Sequence, residues 1–476
     1  MSRGHLAVHA HFYQPLRADP FTGRVPAEPS AAPFHDWNAR IDAECYRPNA
    51  ERGTLRHLSY DVGPTLAAWM EEAAPATYHG FIAGDRPPEA QRGNAMAQGF
   101  HHSILPLASA ADRRTEIRWG LRDFLHRFGR PAEGLWLPET AVDLPSLRDL
   151  AEEGVRYTVL APWQAADGHL ETRRPYRVEL GGGRTIVVAF YDAGLSAAVS
   201  FEPAATADAD HFARERIATR LAGTPFPTGE PGLVVVATDG ELYGHHQQFR
   251  DLFLQRLVAP DPETPDRGFD VVELGAALVE SPDLPFRTVR IVERTSWSCH
   301  HGVARWSAEC PDALDARWKG PLRAALERLS GAIDALTARR LAGLAGAPDL
   351  QAARDAYVEV VLGVEPPAAF AARWLGDTAP AADRRVFLDL LEAQRWRLAM
   401  FASDGWYWDD PIRPETKQNL RAAARAVRIV DGLEGTRLER ALYADLTLFA
   451  SPGHGLDGGA IYRQALSEIG QPGPNL

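Results

Sequence analysis

Two acidic residues occupy positions that suit catalytic chemistry. Glu139 ends the short apolar segment GLWLPE, and Asp239 ends the apolar segment GLVVVATD. Two carboxyl groups about 5–5.5 Å apart act as nucleophile and acid/base in a retaining glycosidase, whereas a gap of about 6.5–9.5 Å leaves room for the water of an inverting one. Paired carboxylates of this kind indicate a site for glycoside chemistry, provided that the fold brings them together.

Histidine and tryptophan residues accompany these carboxylates. His9 and His11 are two residues apart, so a strand places both side chains on one face. The chain also contains 12 Trp residues, and an indole ring stacks on apolar faces, such as those of sugars, while its N–H donates a hydrogen bond. Trp136, Trp406 and Trp408 stand beside other motif residues. We expect these three to contact a ligand and most of the other tryptophans to lie in the core.

A metal ion is the main alternative role for the histidines. Two His on one strand face are a plausible ligand pair that the turn 238–241 or His245 could complete, but the sequence contains no His-Glu-x-x-His motif. Cys299, His300, His301 and Cys310 form a second possible metal cluster or a redox pair, although no Cys-x-x-Cys motif occurs. We therefore expect no metal and no organic cofactor, with these two cysteines simply buried.

The carboxylates and histidines need a scaffold that makes them converge. The first ~300 residues alternate short apolar segments with amphipathic stretches, as β–α units around a parallel sheet do. Because the C-terminal ends of the strands form one face of such a barrel, residues far apart in sequence meet there. The predicted strands are 6–12, 134–139, 156–162, 185–192 and 232–240, and the predicted helices between them include 62–73, 117–128 and 145–154.

A change of pattern near residue 310 divides the chain. Beyond it the sequence is rich in Ala, Leu and Arg with a helical period over 313–344, 384–402 and 415–449. This predicts two domains, an α/β domain over 1–310 and an α-helical domain over 311–476. No long Gly/Ser linker separates them, so we expect them to be docked, with the Gly/Pro-rich tail after Ser451 as loop.

Charge and composition exclude several classes of function. Lys and Arg total 51 against 63 for Asp and Glu, a net charge of −12, whereas nucleic-acid and anionic-membrane binding need a basic surface. Hydrophobic residues at 45% and charged residues at 24% are ordinary for a globular protein. No segment approaches the ~18 apolar residues of a membrane span, and three cysteines are too few for a disulfide framework. We expect a cytoplasmic protein without signal peptide or anchor; the sequence predicts no oligomeric state.

Five ordered segments of the sequence resemble the motifs of glycoside hydrolase family 57. They are HAHFYQP (9–15), AQGFHHSILPL (97–107), GLWLPE (134–139), TDGELYGHH (238–246) and FASDGWYW (401–408). The resemblance implies an incomplete (β/α)7 TIM-like barrel followed by a C-terminal α-helical domain. It also implies a retaining enzyme acting on α-glucans such as amylose, glycogen or malto-oligosaccharides, as an amylase, a 4-α-glucanotransferase or a branching enzyme.

The same resemblance implies roles for individual residues. Glu139 is the expected nucleophile and Asp239 the expected general acid/base. Asp404 and Trp406 are expected in a loop of the helical domain that closes the site. The expected substrate-binding residues are His9, His11, Gln14, His102, Trp136, Glu241, His245, Asp404 and Trp406.

The sequence also departs from the family pattern. Phe12 and Tyr13 separate His11 from Gln14, where the family usually has His-x-His-Gln-Pro, and segment 296–310 has no counterpart that we can assign. These departures indicate a less-characterised branch. Hydrolysis is expected over transfer. Two other functions stay open: a catalytically silent carbohydrate-binding or regulatory protein, which would have no need of both carboxylates, and a metal-dependent hydrolase or deacetylase on a related barrel.

Overall fold

Strand β1 (Gly4–Phe12) lies inside a parallel sheet, and its residues from Leu6 onward are buried, as expected for a strand covered on both faces. The computed structural model describes residues 3–86, 92–168, 170–223, 226, 231–259, 266–279, 286–344 and 346–469. After β1 its strands are β2 (Ser59–Val62), β3 (Ala95–Gln98), β4 (Leu135–Trp136), β5 (Tyr157–Leu160), β6 (Tyr176–Gly181), β7 (Arg184–Phe190), β8 (Leu233–Asp239), β9 (Phe269–Val271) and β10 (Arg287–Thr288).

The strands form two sheets. One has the order β4-β3-β2-β1-β8 with every pair parallel, and β9 also pairs with the start of β1. The other has the order β10-β6-β7-β5, in which β6 and β7 form an antiparallel hairpin. Two contacts join the sheets: a parallel bridge between Gly134 and Tyr157, and a 2.7 Å hydrogen bond from Asp192 N–H to the Val235 carbonyl.

An apolar layer lies beneath the polar strand ends. Residues two apart on a strand share a face, so the face that carries His9 and His11 also carries Ala7, and the face that carries Asp239 also carries Val235. Ala7 and Val235 belong to one buried cluster with side chains of neighbouring strands, among them Met96, Tyr157, Val159, Ala189, Leu233 and Ala237. The sheet therefore buries its apolar residues towards the strand starts and presents its polar residues at the strand ends.

Helices make up most of the remaining structure. The α-helices are Trp37–Ile41, Arg47–Glu51, Pro64–Ala73, Pro75–Asp85, Ala110–Phe128, Leu144–Glu152, Ala193–Phe201, Ala209–His211, Thr219–Leu221, Arg250–Val258, Leu274–Val279, Lys319–Leu341, Leu350–Ala356, Val358–Val361, Pro367–Leu375, Ala381–Ala399, Asp404–Tyr407, Pro414–Glu434, Leu438–Leu446 and Gly458–Ser467. π-helical segments, Asp42–Tyr46 and Phe212–Ala218, each sit between two short α-helices. The prediction of a mixed α/β protein with a parallel sheet and many helices is confirmed.

The predicted ends of several helices have a visible cause. Helix Leu144–Glu152 begins where the Asp143 carboxylate accepts the Ser146 N–H at 2.8 Å, and Gly154 follows its end with φ +89°. The predicted helix 415–449 is instead two helices, because Gly435 adopts φ +61° and ends the first. The tail after Ser451, predicted as loop, contains helix Gly458–Ser467, whose start is capped by Asp457. That prediction was wrong because a local cap outweighs the Gly-rich composition.

The chain forms two compact units that do not coincide with the predicted domains 1–310 and 311–476. The first consists of Met1–Gln14, Glu28–Gly99 and Arg127–Trp297, and contains all ten strands named above. The second consists of Pro15–Ala27, Phe100–His126 and Ser298–Leu476 and is helical in the part that the structure describes. Among the described residues, no helix is both long and apolar enough to cross a membrane.

A buried group of charges explains why segment Phe100–His126 belongs to the second unit. The fully buried Arg397 donates to Asp112 at 3.0 Å and forms an ion pair with Asp334 at 2.9 Å, while Arg354 reaches Asp112 at 2.9 Å. Burial alone lowers the pKa of the Arg397 guanidinium, but the charges of Asp112 and Asp334 outweigh burial and raise it. A buried cation of this kind ties three helices together through its acidic partners.

Replacing Arg397 should therefore destabilise the fold. Arg397→Leu leaves the partly buried carboxylates of Asp112 and Asp334 without their main partner. We expect a loss of about 3–5 kcal/mol in the free energy of unfolding, measured by urea denaturation of the full chain. The matched control is Arg385→Leu on the same helix, whose side chain is 85% exposed and lies 3.7 Å from Asp389. The control should change stability by less than about 1 kcal/mol. Equal effects of the two substitutions would contradict a special role for the buried cluster.

Candidate active site

The ends of β1, β2 and β8 bring three polar residues side by side. In the strand register His11 pairs with Asp61 on β2 and with Asp239 on β8. Register neighbours on parallel strands point to the same face, so the three side chains lie next to one another. Asp61 holds both histidines of β1, because its Oδ1 is 2.9 Å from His9 Nε2 and its Oδ2 is 2.9 Å from His11 Nδ1.

Asp61 is fully buried, and its partners set the charges of the group. Gln98 Nε2 donates to Asp61 Oδ2 at 2.6 Å, and His9 Nδ1 lies 3.0 Å from the Ser59 hydroxyl. Burial raises the pKa of Asp61, but His11 and His9 outweigh it and the pKa falls below its ordinary value. Burial lowers the pKa of His9, whereas His11, despite the same burial, has its pKa raised to about 9 by Asp61, Asp239 and Glu241. At neutral pH His11 carries a positive charge beside the Asp61 anion, and His9 is neutral.

Glu139 stands directly after β4 with an unusual backbone. Its φ of 56° and ψ of 22° are left-handed, and Thr140 follows with φ 47°. Such conformations cost roughly 1–3 kcal/mol in non-glycine residues and occur mostly at functional sites. Trp297 holds the residue at both ends, since its Nε1 donates to Glu139 Oε2 at 3.0 Å and its backbone N–H donates to the Glu139 carbonyl at 3.1 Å. The left-handed backbone and the hydrogen bond from Trp297 thus fix the direction of the Glu139 carboxylate.

Asp239 ends β8 and keeps its side chain open to solvent. Protein atoms nevertheless crowd its carboxyl, and this desolvation raises its pKa to about 6; the charges of Glu139 and Asp61 add to the rise and that of His11 opposes it. The next residue, Gly240, has to lack a side chain, because a Cβ there would lie 2.3 Å from the Phe12 ring. The close packing of Gly240 against Phe12 fixes the position of the Asp239 carboxyl at the end of β8.

Glu241 is a third carboxyl near the same strand end, and it is buried. Its Oε1 accepts the Tyr46 hydroxyl at 2.6 Å and the Tyr13 N–H at 3.3 Å. Desolvation raises its pKa to about 7, assisted by the charge of Asp239 and opposed by Tyr46 and His11. Because both oxygens lie in a protein interior and one already has two donors, Glu241 is placed to orient its neighbours.

Aromatic rings pack around the histidines. Trp136 is fully buried and stacks on His9 at 4.6 Å between ring centroids and on His11 at 5.1 Å. Its Nε1 has no hydrogen-bond partner among the described residues. Trp136, expected to contact substrate, instead packs as a plate behind the two imidazoles in this structure. Its position explains why both rings share one orientation.

Further aromatic rings lie near Glu139 and His11. Trp297 meets Tyr191 edge-on at 6.4 Å, and Tyr191 meets Trp163 edge-on at 6.0 Å. Trp163, expected in the core, is 49% exposed. Tyr13 lies parallel to His11 at 6.1 Å. Trp163, Trp297 and Tyr13 are partly open to solvent and are suited to stack on a sugar ring, whereas Tyr191 is buried.

The structure places the remaining expected site residues as follows. In the first unit, Gln14 accepts from the Thr65 hydroxyl through its carbonyl, and His245 Nδ1 lies 2.5 Å from Glu44 Oε2. Three others, His102, Asp404 and Trp406, belong to the second unit.

Within the second unit these three have their own partners. His102 Nδ1 is 2.7 Å from the Ser403 hydroxyl, and Asp404 begins helix Asp404–Tyr407. Trp406 is fully buried, and its Nε1 donates to the Lys319 carbonyl at 3.3 Å. A covered ring of this kind fits packing better than stacking on a sugar, and contacts of all three with substrate stay predictions.

Two known families match different parts of the chain. Residues 68–265 match the family described as glycosyl hydrolase family 57, and residues 315–469 match a family described only as a domain of unknown function, DUF3536. A 4-alpha-glucanotransferase of Thermococcus litoralis is 28% identical over 111 residues, which are 23% of this chain and 16% of that protein. The chain therefore matches only about a sixth of the length of this relative.

Solved structures resemble the whole chain at low identity. An exo-type maltose-forming amylase of Pyrococcus sp. ST04 has a TM-score of 0.72 at 15% identity, covering 94% of this chain and 83% of that one. A branching enzyme of Thermococcus kodakaraensis has a TM-score of 0.61 at 16% identity, covering 93% and 94%. These similarities establish a shared fold. Together with the motif order, the family match over residues 68–265 confirms the resemblance to glycoside hydrolase family 57 that was drawn from the sequence.

Proposed function

We propose that the protein is a retaining enzyme of α-glucans in which Glu139 is the nucleophile and Asp239 the general acid/base. The main supporting observation is that the Glu139 carboxylate lies close enough to act on Asp239: desolvation raises the pKa of Asp239 to about 6, and the charge of Glu139 adds to this rise. A retaining site needs one ionised and one protonated carboxyl, and environments that separate their pKa values provide them. Desolvation raises the pKa of Asp239, the proposed acid, and Trp297 Nε1 donates a hydrogen bond to Glu139 Oε2, on the proposed nucleophile.

The reaction proceeds in two displacements. In the first, a Glu139 oxygen bonds to the anomeric carbon while the bond to the leaving oxygen breaks and Asp239 gives that oxygen its proton. In the second, Asp239, now a carboxylate, takes a proton from water or from a sugar hydroxyl, whose oxygen bonds to the anomeric carbon and releases Glu139. Two inversions give net retention. The cationic His11 next to Asp239 stabilises the carboxylate that forms between the two steps.

The fold proposed for this chemistry is an incomplete (β/α)7 barrel followed by a helical domain. Support comes from the two contacts between the sheets, since the Gly134–Tyr157 bridge links β4 to β5 and the Asp192–Val235 hydrogen bond links β7 to β8. With these links the strands β1, β2, β3, β4, β5, β7 and β8 follow one another in a closed circuit. The proposed catalytic carboxyls then both lie at the C-terminal strand ends, where barrel enzymes place their sites.

The proposed substrate is an α-glucan or malto-oligosaccharide, with the reaction being hydrolysis. The family match and the fold shared with amylases and branching enzymes support the substrate class. The open faces of Tyr13 and Trp297 suit a neutral sugar, which needs no steering by charge. Solvent access to Asp239 supports hydrolysis, because a transferase has to keep water from the intermediate. A cytoplasmic location is part of the proposal, supported by the three free cysteines.

Removing either carboxylate should abolish most of the activity. Glu139→Gln and Asp239→Asn are expected to lower kcat on malto-oligosaccharides by about 10²–10⁴-fold or more, because each loses a group that reacts in the transition state. Glu152→Gln, on the surface of helix Leu144–Glu152, is the matched control and should keep normal turnover. Turnover close to that of the unmodified protein in either catalytic variant would refute the assignment.

The two carboxylates should also be distinguishable from each other. Azide added to Glu139→Ala should attack from the vacated side and give a glycosyl azide of inverted configuration, detected by NMR. Asp239→Asn should lose far less activity on a nitrophenyl maltoside than on maltotriose, since nitrophenolate leaves without a proton. Inactive variants that fold normally but show neither behaviour would mean that the residues have positioning roles only.

The pH profile provides a separate prediction. A general acid works only while protonated, and the pKa of Asp239 is raised to about 6, so kcat/KM should fall as pH rises through this value. The expected slope on the alkaline side is about tenfold per pH unit. The measurement is the initial rate at low malto-oligosaccharide concentration in a series of buffers. A rate that stays level or increases well above this pH would exclude Asp239 as the acid.

Product analysis tests hydrolysis against transfer. With maltoheptaose as the only sugar, hydrolysis should release new reducing ends in step with substrate consumption, because water is the acceptor. Longer products at constant reducing-end concentration would show that the chain is a transferase. The Glu139→Gln variant should give neither result.

A further inference from the structure

Four potential metal ligands meet in the second unit, within the segment that had no counterpart in the family motifs. Cys299 and Cys310 have their sulfurs 3.6 Å apart, and neither is in a disulfide. His301 Nδ1 lies 3.8 Å from Cys310 Sγ and 3.4 Å from Asp312 Oδ1. All four ligand atoms lie within 4.8 Å of one another. The sequence spacing Cys-x-His and Cys-x-Asp was not recognised as a metal motif because a loop, not a short repeat, brings the two pairs together.

Three of the six separations between these four atoms match the edges of a tetrahedron around one zinc ion. With Zn–S near 2.3 Å and Zn–N or Zn–O near 2.0–2.1 Å, tetrahedral geometry gives about 3.8 Å between two sulfurs, about 3.6 Å between sulfur and nitrogen, and about 3.3 Å between nitrogen and oxygen. The observed separations of 3.6, 3.8 and 3.4 Å follow these values closely. A bonded pair of sulfurs would instead lie about 2.05 Å apart.

The surroundings of the four atoms also suit a closed structural site. Both cysteines are buried, with exposed fractions of 4% and 1%, whereas His301 and Asp312 cover the solvent side. The His300 N–H donates to Asp312 Oδ2 at 3.0 Å, which orients the carboxylate and leaves Oδ1 towards His301. Such outer hydrogen bonds hold ligands in position in metal sites. Gly302, with φ +77°, makes the turn that follows His301.

A buried lysine next to the sulfurs supplies an independent argument. Lys319 is fully buried, and its Nζ has no hydrogen-bond partner among the described residues. Cys310, Asp409 and Cys299 are close enough for a negative charge on them to act on this amine, and the charge of Arg305 opposes them. A buried cation requires a compensating anion. Two thiolates and one carboxylate around a divalent zinc ion carry a net charge of −1, which Lys319 balances.

We propose that Cys299, His301, Cys310 and Asp312 bind one zinc ion. Soft thiolates with an imidazole and a carboxylate in tetrahedral geometry select zinc among the common divalent cations. Between Cys299 and Trp318 the only regular element is the short turn Ala304–Trp306. The ion cross-links this segment in place of backbone hydrogen bonds, as structural zinc does in small domains. The site includes none of the proposed catalytic residues and goes beyond the proposed function.

The test measures metal in the full-length chain. Protein expressed with added zinc and purified under reducing conditions should contain about one zinc ion per chain by plasma mass spectrometry. Cys310→Ser should lower this content at least about tenfold, since loss of a direct ligand costs no less than loss of an outer one. Cys45→Ser is the matched control, because Cys45 is also a free, buried cysteine and should leave zinc unchanged.

A second variant and a second metal distinguish the loss of a metal ligand from misfolding of the chain. Asp312→Asn changes a solvent-facing ligand and should weaken zinc binding while far-UV circular dichroism stays the same. Cobalt(II) added to the metal-free chain should give intense visible bands and a sulfur-to-cobalt charge-transfer band, which Cys310→Ser removes. Three results would overturn the proposal: uptake of neither zinc nor cobalt, zinc that survives Cys310→Ser, or a disulfide between Cys299 and Cys310 in the reduced preparation. None of these readouts depends on turnover, so they are separate from the tests of the catalytic carboxylates.

Discussion

The buried carboxylate of Asp61 is the interaction on which the site depends. It lies at the end of β2 with no solvent exposure, and an isolated charge there would be strongly unfavourable. Two imidazoles and the Gln98 amide satisfy it, and each of these groups comes from a neighbouring strand. Because one carboxylate binds both His9 and His11, it fixes the register of β1 against β2 and the direction of both rings. The same bond keeps a positive charge on His11, beside the residue proposed as the acid.

The three carboxyl groups at this site, Asp61, Asp239 and Glu241, have pKa values shifted in different directions. Asp61 has two histidine partners and its pKa falls. Asp239 is crowded by protein atoms and its pKa rises to about 6, and Glu241 is buried with a tyrosine donor and its pKa rises to about 7. Burial acts in the same direction on all three. What separates them is the number and charge of the donors that each receives. The site thus obtains an anion and two groups that hold a proton more readily from three carboxyl side chains.

The sequence predicted the long apolar strands and missed the short polar ones. β1 and β8 were recognisable because several consecutive buried residues precede a polar end, and the acidic residues at 139 and 239 could be named from that pattern. β2 and β3 have four residues each and include Ser59, Asp61 and Gln98, so they show no apolar period. Asp61 and Gln98 were missed for this reason. Local sequence also could not reveal that Trp136 packs behind the histidines or that Trp163 is exposed, since both depend on which strands are neighbours. Asp312 was missed as a neighbour of Cys299, His301 and Cys310, because a loop brings it to them.

The left-handed backbone of Glu139 has a consequence for any attempt to increase the thermal stability of this protein. A glycine at that position would relieve the conformation, whereas the natural chain keeps a residue that disfavours it. At position 139, folding stability therefore favours glycine, whereas the proposed function requires the glutamate. Selection for heat resistance alone, in the laboratory or in a hot environment without the substrate, would favour loss of the acidic side chain there. Improving the stability of this protein requires changes elsewhere, with position 139 held fixed.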